Sequence, residues 1–137
     1  MTDNVHAQKG EYRFPVRYAE TDAMGVVHHA SYLVYFEAGR SHLMRELGSD
    51  YAQLEAQGFQ LPVTEVSVRY VNSLRYGQDV RLITNIAENR SRQMQFTYEV
   101  FADDAQECLV TGFTRHVWTN KSGKVIRGPE HWVKLFS

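Results

Sequence analysis

The chain of 137 residues is short of most features that would assign a compartment or a cofactor by composition. It has one cysteine, Cys108, so an internal disulfide is excluded and a thiolate zinc site has no second sulfur ligand. No apolar run approaches the ~20 residues that a membrane-spanning helix requires. The first residues, MTDNVHAQKGEY, lack the apolar centre of an export signal. An excess of charge of one sign is also missing. The 15 basic and 16 acidic residues leave a formal charge of −1, and the basic ones are scattered, which removes the electrostatic case for nucleic acid or an anionic membrane surface. No repeat, low-complexity stretch or linker interrupts the chain. With 43% hydrophobic residues it reads as one ordered globular domain in a reducing, cytoplasmic setting, with no membrane insertion.

The polar residues 1–10 are expected to form a flexible N-terminal segment, followed by a single domain over 11–137. From Glu11 the pattern alternates, with Tyr12, Phe14, Val16 and Tyr18 on one face and Arg13 and Arg17 on the other, which is strand periodicity. Pro15 cannot donate to a ladder and argues for an edge position. A loop over 19–28 contains Gly25. From about His29 to Leu47 the period becomes helical: Leu33, Phe36, Arg40, Leu43 and Leu47 recur, with Tyr32, Tyr35, Ala38, Gly39 and Met44 widening the apolar arc. Gly48 marks the stop, and a short helix is expected around 51–57, closed by Gly58.

Four strands follow. Val66, Val68 and Tyr70 share a face in the first, Val80 to Ile86 in the second and Met94 to Val100 in the third. In the fourth, Leu109, Thr111, Phe113 and Val117 are read as the inward set. Turn residues separate these runs, and short connections make antiparallel pairing of successive strands the default. A helix of ~18 residues is ~27 Å long and matches strands of about eight to ten residues. The expected class is α+β, with an antiparallel sheet curling round one long helix. Val63, Val71, Phe101, Val110 and Trp118 fall on the sheet's other face, where their apolar area implies burial against another subunit.

The chemistry concentrates in Glu20 to Arg40, ETDAMGVVHHASYLVYFEAGR. A helix entry presents backbone N–H groups without intrahelical acceptors and the positive end of the macrodipole. A carbonyl oxygen gaining negative charge there is stabilised, as acyl transfer requires. The N–H groups of His29, Ala30 and Ser31 are the candidates, and Gly25 lets the preceding loop fold back to bring Asp22 alongside. An acid on one side and oxyanion donors on the other make a minimal acyl-transfer site. An ionised aspartate, with a pKa near ~3.9, is a weak base, and no metal-ligand set is evident to activate water. Such modest machinery fits a thioester, whose thiol, with a pKa near ~8.5, departs readily as thiolate.

The segment from Arg17 to Arg40, RYAETDAMGVVHHASYLVYFEAGR, resembles the signature of the 4-hydroxybenzoyl-CoA thioesterase-like branch of the hotdog-fold superfamily. Within it, the likeness is to the small bacterial acyl-CoA thioesterases associated with the Tol–Pal system. Their pattern runs Tyr, a variable stretch, Thr-Asp, two small residues, Gly-Val-Val, Tyr-His, then a small residue and Ser-Tyr. The resemblance implies the hotdog fold, a long central helix wrapped by a curved five-stranded antiparallel sheet. It implies hydrolysis of an acyl-CoA to free acid and CoA, with no cofactor beyond the CoA of the substrate. The family's catalytic aspartate falls on Asp22, as nucleophile or general base, and its carbonyl-polarising N–H and its histidine both fall on His29. His28 stands where the family usually has tyrosine. Hotdog subunits usually pair with joined sheets and an active site between protomers. The apolar outer face then implies that these dimers pair again, giving a homotetramer.

Simpler readings exist for the same residues. Thr21-Asp22 before a helix is also a common turn or capping pair. His28 and His29 are adjacent, which seldom lets both bind one ion, and no Cys/His/Asp set completes a metal shell. Glu37 is a rival carboxylate, but ~12 Å into the helix it lies too deep to share a carbonyl with the entry amides of its own chain; an i,i+3 pair with Arg40 is the simpler account, which the entry amides of a neighbouring subunit could reverse. SYLVYF reads first as core. In the turn NRSR, Arg90 and Arg92 carry guanidiniums suited to phosphate oxygens, and basic residues in comparable turns of the family hold the nucleotide end of CoA, but a solvated hairpin turn accounts for them at least as well. Two other functions share the fold: hydration or dehydration of an enoyl thioester, and a non-catalytic acyl- or protein-binding module.

Overall fold

The computed structural model describes residues 9–135. Strand β1 (Lys9–Pro15) leads through a 3-10 turn (Tyr18–Glu20) to helix α1 (Ser31–Glu46) and the short helix α2 (Tyr51–Ala56). Strands β2 (Val63–Tyr70), β3 (Asp79–Asn89), β4 (Gln93–Ala102) and β5 (Val110–Val117) follow, then helix α3 (Glu130–Leu135). The strands form one antiparallel sheet in the order β1-β3-β4-β5-β2. The sheet holds α1 on one face, which is the expected α+β hotdog architecture. No helix among the described residues is long and apolar enough to cross a membrane.

Helix α1 seats on the sheet because its buried face alternates bulk with a gap. Phe36 stacks on Tyr98 of β4, ring centroids 4.1 Å apart, and Leu43 and Met44 fill the far end. Each such fully buried side chain contributes roughly 1.5–3 kcal/mol. The close approach depends on two glycines. A Cβ at Gly39 would lie 2.5 Å from Leu82 Cδ2, and one at Gly112 would lie 2.6 Å from the Ser67 carbonyl and 2.7 Å from Phe36 Cε2.

Several elements differ from the sequence-based expectation, each for a local reason. β1 begins at Lys9 and stops at Pro15, so Tyr18 belongs to the 3-10 turn and is 77% exposed instead of facing the core. The remainder of the expected N-terminal segment, with His6, lies outside the described residues. β2 and β3 do not form a hairpin. Residues 71–78 cross the end of the sheet, held by the fully buried Leu74, while β1 takes the free edge of β3 and β2 pairs with β5.

The phase of β5 is also one residue from the expected one. Val110, Thr114 and His116 face inward, and Phe113 and Arg115 face out. Two polar residues on the core side disguise the alternation, and a one-residue slip flips every side chain. Val110 and Trp118 are therefore core residues, not outer-face ones, and the C-terminal segment doubles back over Trp118 to bring Gly128 against its indole. On the outer face Arg81 covers Phe101 and Arg115 lies over Phe113. The exposed apolar residues gather elsewhere: Leu33 and Val34 on α1, Val63, Val66 and Tyr70 on β2, and Val71 just after it.

Candidate active site

The loop between β1 and α1 folds back on itself like a small hairpin. Thr21 and Val27 bridge, Asp22 N donates to the Val26 carbonyl at 2.9 Å, and His28 N donates to the Glu20 carbonyl at 2.8 Å. Its tip turns at Gly25, whose φ of 77° favours glycine. The hairpin rests on the crossover: Val27 N donates to Leu74 O at 2.8 Å, Tyr76 N to Gly25 O at 3.2 Å, and Val26 bridges Arg75. The unexpected crossover is thus the shelf that positions the loop.

Asp22 is exposed, and its Oδ1 accepts from Met24 N at 2.8 Å and Val26 N at 3.4 Å. The turn role is real for that oxygen. Oδ2 makes no hydrogen bond among the described residues, so one side of the carboxylate stays free for chemistry.

The three candidate amides have different fates. Ala30 N donates to His28 Nδ1 at 3.2 Å, and Ser31 N donates to the His28 carbonyl at 2.9 Å. Both are spent inside the loop, which corrects the expectation of three converging donors. Only the His29 N–H of the three has no acceptor among the described residues. Its orientation is fixed from both sides, because the His28 carbonyl in the same peptide unit accepts from Ser31 and the His29 carbonyl accepts from Tyr70 Oη at 2.9 Å. The His28 and His29 rings lie 4.2 Å apart. With Nδ1 accepting, a neutral His28 carries its proton on Nε2.

Asp22, Gly25, His28, His29, Ala30 and Ser31 are brought together on this loop. Arg90 and Arg92 are not. The loop lies at the Pro15–Asp79 end of the sheet, whereas the 90–92 turn follows Asn89 at the other end of β3, about 30 Å away along the strand. There Arg90 lies 3.8 Å from Glu88 and Arg92 donates to Ser91 Oγ at 3.4 Å.

A cavity of about 500 Å³ opens on α1 one turn beyond the loop, lined by Val34, Glu37, Ala38, Arg40, Tyr51 and Leu61 among others. Its charged wall consists of Glu37, Glu55 and Arg40, of which Arg40 is only 8% exposed. Arg40 donates to Tyr98 Oη at 3.4 Å, Tyr98 Oη lies 2.6 Å from Thr114 Oγ1, Thr114 lies 2.8 Å from His116 Nε2, and His116 Nδ1 lies 3.1 Å from the Leu61 carbonyl. The Leu61 carbonyl only accepts, so His116 Nδ1 carries a proton; with the imidazole neutral, Nε2 accepts from Thr114, and Thr114 in turn accepts from Tyr98. Burial, reinforced by the Arg40 charge, lowers the His116 pKa to about 4. Burial also pushes Tyr51 up to about 12 against the pull of Arg40. Glu37 stands 3.9 Å from Arg40, a loose i,i+3 pair. The residues that sequence reasoning missed, His116, Thr114 and Tyr70, carry no local signal; they reach their partners only across the sheet.

An antiparallel five-stranded sheet wrapped round one long helix is the hotdog architecture. The chain belongs to the thioesterase-like superfamily, whose family model matches residues 16–134. It is 34% identical to YneP of Bacillus subtilis over 117 residues, covering 85% of this chain and 83% of that one. It is 32% identical to the acyl-CoA thioester hydrolase YbgC of Escherichia coli O157:H7 over 91 residues, 65% of this chain and 68% of the other. The solved DHNA-CoA thioesterase of Staphylococcus aureus superposes with a TM-score of 0.83 at 33% identity, covering 87% of this chain and 80% of that one.

Proposed function

We propose that this protein hydrolyses an acyl-CoA thioester, with the Asp22 carboxylate driving the attack and the His29 N–H holding the carbonyl oxygen. The observation that carries this reading is that, of the three candidate amides at the mouth of α1, His29 N–H alone has no acceptor among the described residues, on the same loop as a carboxylate with one free oxygen. As charge moves onto the thioester oxygen, a fixed donor already aimed at it costs no reorganisation, and one such donor is worth roughly 10²–10³ in rate. Asp22 acts either as nucleophile on the carbonyl carbon or as base toward water. On both routes the carbon–sulfur bond breaks, the thiolate of CoA leaves, and water supplies the oxygen of the free acid. The acyl group extends along Ala30 and Val34 into the cavity walled by Arg40.

On one chain the site lies open to solvent, and β2 leaves a free edge with Val66 and Tyr70 uncovered. The reading therefore includes a second copy pairing antiparallel along β2. Such a twofold places the 90–92 turn of one protomer, which lies at the β2 N-terminal end, beside the Asp22 loop of the other. Arg90 and Arg92 then meet the phosphates of CoA across the interface. A further pairing of dimers would use the outer face around Phe101 and Phe113. The lone thiol, Cys108, supports a reducing cytoplasm as the place of action.

The test is a thiol-release screen over short, long and aromatic acyl-CoAs, with Asp22→Asn as control and an enoyl-CoA followed for loss of its double bond. Thiol release that Asp22→Asn nearly abolishes in a folded oligomer supports the reading. Full activity in that variant removes Asp22 from the mechanism. A panel left uncleaved indicates a binding module, and double-bond loss without thiol release indicates a hydratase.

A further inference from the structure

The residue that ties the two arms of the loop to the helix is neither Asp22 nor His29. Glu20 Oε1 accepts from Arg17 N at 2.9 Å and from Tyr35 Oη of α1 at 2.8 Å, and its Oε2 accepts from Arg17 Nε at 2.9 Å. Its main-chain carbonyl accepts from His28 N at 2.8 Å and from Ser31 Oγ at 3.3 Å. The carboxylate is only 11% exposed, and burial alone would raise its pKa. The hydrogen bonds from Arg17 and Tyr35 outweigh that and leave it below the usual carboxylate range, so it is ionised at neutral pH. Tyr35, buried at the other end of this bond, has its phenol pushed far up by desolvation and by the Glu20 charge, and therefore donates throughout the physiological range.

Glu20 precedes Asp22 by two residues, and the amide it accepts from, His28 N, precedes the free His29 N–H by one. Its side chain thus fixes where the outgoing arm leaves the 3-10 turn, and its carbonyl fixes where the returning arm enters α1. We infer that Glu20 is a positioning residue for thioester hydrolysis: bonded to Tyr35, it sets the separation of the Asp22 carboxylate from the His29 N–H without touching substrate. This rests on the assignment of Asp22 and His29 above. A largely enclosed, charged carboxylate is costly to keep unless it is compensated by a charge partner and hydrogen bonds. Here what they hold is the geometry between an attacking group and an oxyanion donor, where a shift of about 1 Å is worth on the order of a hundredfold in rate.

The experiment compares Glu20→Gln, Tyr35→Phe and the double variant with the wild type and Asp22→Asn, using the best acyl-CoA from the screen. Rates are expressed per folded molecule, with the folded fraction taken from near-ultraviolet circular dichroism. Tyr35→Phe keeps the core ring, so folding survives even if Glu20→Gln is damaging. The expected result is a fall in kcat of roughly tenfold or more in Glu20→Gln, KM within about threefold, a smaller fall in Tyr35→Phe, and a double variant that loses less than the product of the two single losses, because the first change weakens and the second removes the same Tyr35 bond. An unchanged kcat per folded molecule in both single variants overturns the inference, as does a loss confined to KM or effects that multiply in the double variant. These results leave the Asp22 assignment standing as long as Asp22→Asn is inactive; activity in Asp22→Asn fails that assignment instead.

Discussion

Acid should destabilise this protein through His116 in particular, and the size of the effect can be worked from its surroundings. The imidazole is neutral in the folded chain, buried between Thr114 and the Leu61 carbonyl with Arg40 along the same chain of bonds, and takes a proton only near pH 4. In the unfolded chain it takes one near its ordinary value of ~6.5. Between those values the unfolded state binds more protons, so stability must fall as pH falls. The contribution is complete above about pH 7 and amounts to about 2 kcal/mol lost by pH 5 and about 3 kcal/mol by pH 4. Urea unfolding at fixed protein concentration, at pH 7.5 and pH 5, measures the loss in wild type and in His116→Gln, which keeps a polar side chain that does not titrate. Fixed concentration matters because subunit association adds to apparent stability. The variant starts less stable but should lose about 2 kcal/mol less between the two pH values. Parallel losses in the two proteins would refute the assignment of a neutral, Nδ1-protonated His116.

Two further outcomes follow from packing. Gly112→Ala places a methyl 2.6 Å from the Ser67 carbonyl and against Phe36, and should cost about 1–3 kcal/mol, read as a Tm several degrees lower. Val66→Arg on the free edge of β2 should leave a folded monomer by light scattering with thiol release largely lost; a variant that stays oligomeric and active would place the subunit contact elsewhere.

The helix, four of the five strand phases and the loop that carries Asp22 and His29 were legible in the sequence, because each is written in short-range periodicity or in one contiguous motif. Phe36, Leu43 and Met44 recur at helical spacing and do enter the core. What was not legible depends on partners far along the chain. β5 was read one residue out of phase because Thr114 and His116 face inward for the sake of Tyr98 and Arg40, and no local rule makes two polar residues a core face. The β2–β3 crossover was invisible because Leu74 is held by Val27 and Tyr32, more than forty residues earlier. At the site, spacing alone offered three amides. The His28 ring and carbonyl take two of them, a capture that depends on side-chain rotamer and loop dihedrals. Glu20 stood in the quoted motif without a role, since its bond to Tyr35 exists only once α1 has docked.

The most direct measurement is a crystal structure of Asp22→Asn with an intact acyl-CoA bound. The account predicts the thioester carbonyl oxygen about 3 Å from His29 N, the residue 22 side chain beside the carbonyl carbon, and the CoA phosphates near Arg90 and Arg92 of the other protomer. A carbonyl turned away from His29 N, with residue 22 remote from the carbon–sulfur bond, would contradict it.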